Sequence, residues 1–84
     1  MNERTKKLID KHLEKARTKH PDFVAEGVIQ IPSIATEELG EMCKEINEVY
    51  NSETVDDCVK HKKLAIEEAL DLIAVLIRFI EGDK

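Results

Sequence analysis

The stretch AIEEALDLIAVLIRFIEG, Ala65 to Gly82, decides the fold. Between Ala69 and Ile80 only Asp71 and Arg78 are not apolar. The run is roughly half the ~20 residues needed to span a bilayer and carries two chargeable groups, so it reads as a helix packed in the core of a bundle. A single carboxylate in such a run needs an explanation, because burying an ionised acid without a partner is costly. The usual escapes are a raised pKa, a cationic neighbour or a bound metal.

Working outward, the composition supports an all-α fold. Of 84 residues, 42% are hydrophobic and 37% charged, with few aromatic residues and only two prolines, which favours a water-soluble helical protein without strands of consequence. A chain this short buries a smaller share of its surface than a larger one, so a small helical bundle completed by oligomerisation is expected. Residues 1–20 carry seven Lys or Arg against three acids, while the remainder of the chain is acidic and brings the net charge to −5. That balance reads as a solvated basic first helix on an acidic body, and makes nucleic acid an improbable ligand. Cys43 and Cys58 form no CxxC motif, and MNERTKK is followed by no apolar stretch of signal-peptide length. Free thiols, a cytoplasmic location and no membrane span are the expectation.

Three helices are legible. The first runs from about Glu3 to Lys19 within a 1–20 segment, with Asn2 as N-cap and Leu8, Ile9, Leu13 and Ala16 as one apolar stripe. His12 and His20 lie at its edge, with no acid or cysteine at ligand spacing beside them, and are expected to pack or face solvent. The segment PDFVAEGVIQIPSIAT reads equally as a short helix or a packed loop, since Gly27 and Pro32 interrupt it. A second helix over 33–51, beginning between Pro32 and Glu37, places Leu39, Met42, Cys43, Ile46, Val49 and Tyr50 at helical spacing. Asn51 and Ser52 end it. Thr54 and Asp57 resemble a capping pair for a third helix over 55–82, with a break considered near Lys60 to Lys63 and a stop at Gly82.

At 100° per residue, Glu67, Asp71 and Arg78 share one narrow strip of the third helix, and Arg78 in its last turns suits the helix dipole. Glu68 and Asp71 are one turn apart, and the second helix repeats the spacing with Glu38 and Glu41, near Glu37 and Glu45. Like charges at these spacings cost each helix a few tenths of a kcal/mol unless something positive joins them. Four carboxylates converging between adjacent helices suit hard divalent cations, Mg²⁺ or Mn²⁺, which take oxygen ligands and keep open positions for water and phosphate. Against this stands the plainer reading that Glu-rich helical surfaces are usually solvated. Asp71, flanked by Leu70, Leu72 and Ile73, is what argues for a metal.

EELGE (Glu37–Glu41) followed by EALD (Glu68–Asp71) resembles the EExxE and ExxD motif pair of the MazG-like all-alpha nucleoside triphosphate pyrophosphohydrolases. HPDF before the first motif, Glu45 and Ile46 after it, and the apolar tail with Arg78 extend the likeness over about His20 to Ile80. The resemblance implies a single helical domain that binds Mg²⁺ (or Mn²⁺) through Glu38, Glu41, Glu68 and Asp71. Glu37 would support them from behind, and Glu37, Glu38 and Glu41 would be the catalytic set. It implies hydrolysis of a nucleoside triphosphate to the monophosphate and pyrophosphate, as nucleotide house-cleaning, by a homodimer or homotetramer. Part of the nucleotide pocket would come from a second subunit, because the chain ends thirteen residues after Asp71. Phosphate-gripping candidates are Lys44 and Arg78, followed by Lys62, Lys63 and the first helix, all of which also read as ordinary surface charges. Phe23 and Tyr50 could stack on a base, though a structural role suits both.

Two other classes compete. A non-catalytic helical interaction module would pair its acidic strip with a basic partner or with its own first helix. A carboxylate-bridged di-iron bundle is disfavoured, because Glu-x-x-His pairs are absent and His61 is not placed to supply one.

Overall fold

A computed structural model describes residues 1–19, 21 and 23–81, and the side chains of these apart from 23–32. Three helices follow in order: α1 (Glu3–Lys19), α2 (Phe23–Tyr50) and α3 (Val55–Glu81). The described residues contain no strand, and none of their helices is long and apolar enough to cross a membrane.

Local chemistry accounts for the boundaries. The Thr5 amide donates to Asn2 Oδ1 at 2.8 Å, satisfying one of the orphan donors of α1. The Asp57 amide donates to Thr54 Oγ1 at 3.1 Å, so Thr54 caps α3. At the end of α2 the Ser52 hydroxyl turns back to the Glu48 carbonyl at 2.7 Å and its amide donates to the Val49 carbonyl at 3.3 Å. Only residues 51–54 separate α2 from α3, and so short a connection makes antiparallel neighbours.

The expected start of the second helix is corrected. The helix begins at Phe23, not between Pro32 and Glu37, and the segment that reads equally as a short helix or a packed loop is helical backbone from Phe23 onward. Pro32 costs the ladder one amide donor without ending it, a case where the continuous pattern on both sides outweighs a local breaker. The helix also runs unbroken through Lys60 to Lys63. His20, Asp22, Gly82 and the side chain of Phe23 lie outside the described residues.

At about 1.5 Å rise per residue the 28 residues of α2 span about 42 Å, close to the 44 Å long axis of the molecule. α2 and α3 form the long hairpin, and α1 lies against α3. Among the described residues the buried apolar side chains, Leu13, Ala65, Leu70, Ala74 and Val75, come from α1 and α3. The α2 stripe splits: Met42 and Val49 are half-buried toward the hairpin, while Leu39, Cys43, Ile46 and Tyr50 are exposed. Tyr50 therefore has no packing role within this chain.

Candidate metal centre

Glu38 and Glu41, one turn apart on α2, face Glu68 on α3. One carboxylate oxygen of each lies within 4.8 Å of the others, so the packing of the hairpin brings three of the four expected ligands together. Glu41 is exposed and the other two are half-buried. Glu38 Oε2 and Glu68 Oε2 are buried with no hydrogen-bond partner. A carboxylate only accepts, so these three acids can satisfy one another only through a proton or a cation.

The electrostatics say the same. Burial, then hydrogen bonding to Glu41 and Glu38, then their charges, raise the Glu68 carboxyl from 4.5 to about 8. Glu38 is also raised, first by burial and then by the charges of Asp71, Glu41 and Glu37. In the absence of a cation, Glu68 holds a proton near neutral pH. The donor set is all oxygen, and two of its buried oxygens lack partners. It fits a hard divalent ion.

Asp71 goes elsewhere. Glu68 and Asp71 are one turn apart, but Glu68 points to α2 whereas Asp71 points to α1, where its Oδ1 lies 2.8 Å from His12 Nδ1. The other nitrogen of the same imidazole, Nε2, lies 3.1 Å from Glu67 Oε2. His12 is 7% exposed and packs, as expected, but with acidic partners that come from α3. Its signal was legible: a polar residue inside the α1 stripe, between Ile9, Leu13 and Ala16, faces a polar strip on α3. The lone carboxylate in the apolar run thus has a histidine partner, and it adjoins the three-acid cluster closely enough for its charge to raise Glu38.

Arg78 is likewise corrected from a surface charge. Only 2% exposed, it donates from Nη1 to the Ala16 carbonyl at 2.9 Å and fastens α1 to α3. The strip of Glu67, Asp71 and Arg78 is therefore the α1-binding side of α3. Beside it lies a cleft of about 370 Å³, with Glu37, Glu38 and Asp71 on one side and His12, Lys15 and Lys19 on the other. Glu37 is exposed at this cleft, where Arg78 also contributes to the lining. Lys44 is exposed and is not part of the lining. Lys62 and Lys63 lie on a different face, with Arg4 and Leu8. One turn beyond Glu41, Glu45 Oε2 meets His61 Nδ1 at 2.7 Å, so His61 ties α3 to α2 outside the three-acid cluster. Both cysteines are free thiols.

No family model, curated protein or solved structure matches the chain. The MazG-like likeness therefore rests on the two motifs.

Proposed function

We propose that the chain is a divalent-cation-dependent nucleoside triphosphate pyrophosphohydrolase of MazG-like type that acts in the cytosol. The observation that supports this most is the trio Glu38, Glu41 and Glu68, whose oxygens gather within 4.8 Å although two of them are buried without a donor. In this reading those three side chains hold Mg²⁺ or Mn²⁺, with Asp71 contributing charge from its place beside His12. The bound ion supplies charge neutralisation at the phosphates and an acidified water. Glu37, exposed at the cleft, accepts a proton. Lys15 and Lys19 reach phosphate oxygens from the opposite wall, a role the sequence offered to the first helix in general, and Arg78 keeps that helix in place. Lys44, which does not line the cleft, has no part in this reading.

Purified protein should release pyrophosphate from at least one member of a panel of nucleoside triphosphates when Mg²⁺ is present, and none when it is chelated. Silence across the whole panel in Mg²⁺ and in Mn²⁺ would remove the catalytic claim.

A second reading is favoured by a specific observation: Glu67 and Asp71 pair with His12, and Glu81 lies 3.5 Å from Arg17, so part of the acidic strip binds the protein's own first helix. A non-catalytic helical module is built in this way. It predicts a melting temperature indifferent to divalent cations, whereas a metal site predicts stabilisation that grows with their concentration.

A further inference from the structure

α1 and α3 run parallel. His12 meets Asp71, Ala16 meets Arg78 and Arg17 meets Glu81, so the two helices advance together toward their carboxyl-terminal ends. On the amino-terminal side of His12 they leave a groove of about 550 Å³ between them, which shares no lining residue with the cleft beside Arg78. Leu8 of α1 and Val59, Ile66 and Leu70 of α3 give this groove an apolar strip. Leu70 is buried, whereas Ile66 is 49% exposed and Val59 61%, so the strip continues the core out to solvent.

Cations border the strip on both helices: Arg4 on α1, and Lys62 and Lys63 on α3, all exposed. Among the described residues none of the three is in an ion pair. The one acid in the lining, Glu67, is committed to His12 at 3.1 Å. The chain has 18 acids against 13 Lys or Arg, yet three cations around one apolar strip are left without a counter-charge. Their mutual repulsion is relieved by a ligand that brings carboxylates to both edges of the strip.

We propose that the groove between α1 and α3 docks an acidic amphipathic helix of a partner protein. Its apolar stripe rests on Leu8, Val59, Ile66 and Leu70, and its flanking carboxylates meet Arg4 on one side and Lys62 and Lys63 on the other. The length fits: from Val59 to Leu70 the strip runs about 17 Å, or about three helical turns. A helix laid in such a groove anchors through side chains at i, i+3 or i+4, and i+7. Nucleic acid suits the groove less well, because no aromatic side chain lines it for base stacking and the chain carries a net charge of −5. A bilayer is flat, and the buried Leu70 between two helices is out of its reach. The proposal concerns a different face from the acidic cluster and holds whether or not that cluster is catalytic.

The probe is a displayed library of peptides of about 14 residues, with Leu or Ile fixed at i, i+4, i+7 and i+11 and Glu, Lys, Gln or Ala at random elsewhere. Selection on the full chain should enrich Glu at the positions flanking the apolar stripe. The synthetic winner should bind with a Kd of about 1–50 µM, weakening about tenfold between low and high salt. Lys62→Glu/Lys63→Glu, at two exposed positions, should weaken it about tenfold or more with helical circular dichroism retained, and the same peptide with Lys for Glu should prefer that variant. Should the variant unfold, amide chemical shifts of the wild type decide the question: the peptide should move those of Arg4, Leu8, Val59, Lys63 and Ile66 together. Enrichment of no sequence, or of Lys-rich ones, overturns the proposal. So do shifts that map to another face, or a wild type that ignores the peptides but binds phosphatidylglycerol vesicles or an oligonucleotide through Lys62 and Lys63. A groove covered by a second copy of the chain, seen as self-association that Lys62→Glu/Lys63→Glu abolishes, overturns it as well.

Discussion

Replacing Glu68 by Gln separates the cost of the acidic cluster from its use. Without a cation, the Glu68 carboxyl titrates near 8 in the folded chain against 4.5 as the ordinary value. The folded state therefore holds a proton that the unfolded state has lost, and wild-type stability falls as pH rises from about 4.5 to about 8. At about 1.4 kcal/mol per unit, the whole displacement would amount to about 5 kcal/mol. Glu41 is exposed and the cluster is open to water and salt on that side, so screening reduces this to about 1–3 kcal/mol. Glutamine has the shape of the protonated acid and offers a donor at every pH. Glu68→Gln should match the wild type near pH 4.5 and exceed it by about 1–3 kcal/mol above pH 8 in chelator, equivalent to about 4–20 °C in Tm for a domain of this size. Mg²⁺ should narrow the gap: tenfold excess over Kd adds about 1.4 kcal/mol to the wild type and little to the variant. Thermal unfolding followed by circular dichroism at pH 5, 7 and 8.5, with EDTA or Mg²⁺, measures all of this. A variant that melts lower than the wild type at pH 8.5 in EDTA would refute the reasoning, as would equal stabilisation of both proteins by Mg²⁺.

The other predictions concern the frame around the cluster. Arg78→Met keeps most of the buried volume but leaves the Ala16 carbonyl without its donor, and should cost about 1–3 kcal/mol in urea unfolding. His12→Ala opens a space between α1 and α3 and strands Asp71 in the apolar run, for a loss of about 2–3 kcal/mol; equal stability would show that the imidazole is idle. Gly40→Ala places a methyl where no atom lies within 4 Å, in the interior of α2, and should raise stability by about 1 kcal/mol with metal binding unchanged.

Elements with strong local signals were legible in the sequence. Asn2 and Thr54 cap the helices that their positions predict, and the Ala69–Ile80 run lies inside one helix. The start of α2 was not legible. Pro32 is a breaker by its own chemistry, and the helical geometry on either side of it overrides that preference. In the site, the Glu38 and Glu41 spacing and the EALD motif located three converging acids, because periodicity fixes which residues share a face. Periodicity does not fix which neighbour that face meets. Glu68 and Asp71 are one turn apart yet diverge to α2 and α1, because their directions differ by enough to straddle two packed helices. The same gap explains His12 and Arg78, whose partners are 59 and 62 residues distant along the chain. It also bears on the α2 stripe, whose period announced one buried face although only Met42 and Val49 of it are half-buried.

The central claim is that Glu38, Glu41 and Glu68 exchange a proton for a divalent cation. Titrating the metal-free protein with Mn²⁺ at pH 7, in buffers of differing ionisation enthalpy, counts the ions bound and the protons released together. The account predicts binding with about one proton released per ion, and loss of both in Glu68→Gln. Absence of binding heat in every buffer, or binding that releases no proton and persists in the variant, would contradict it.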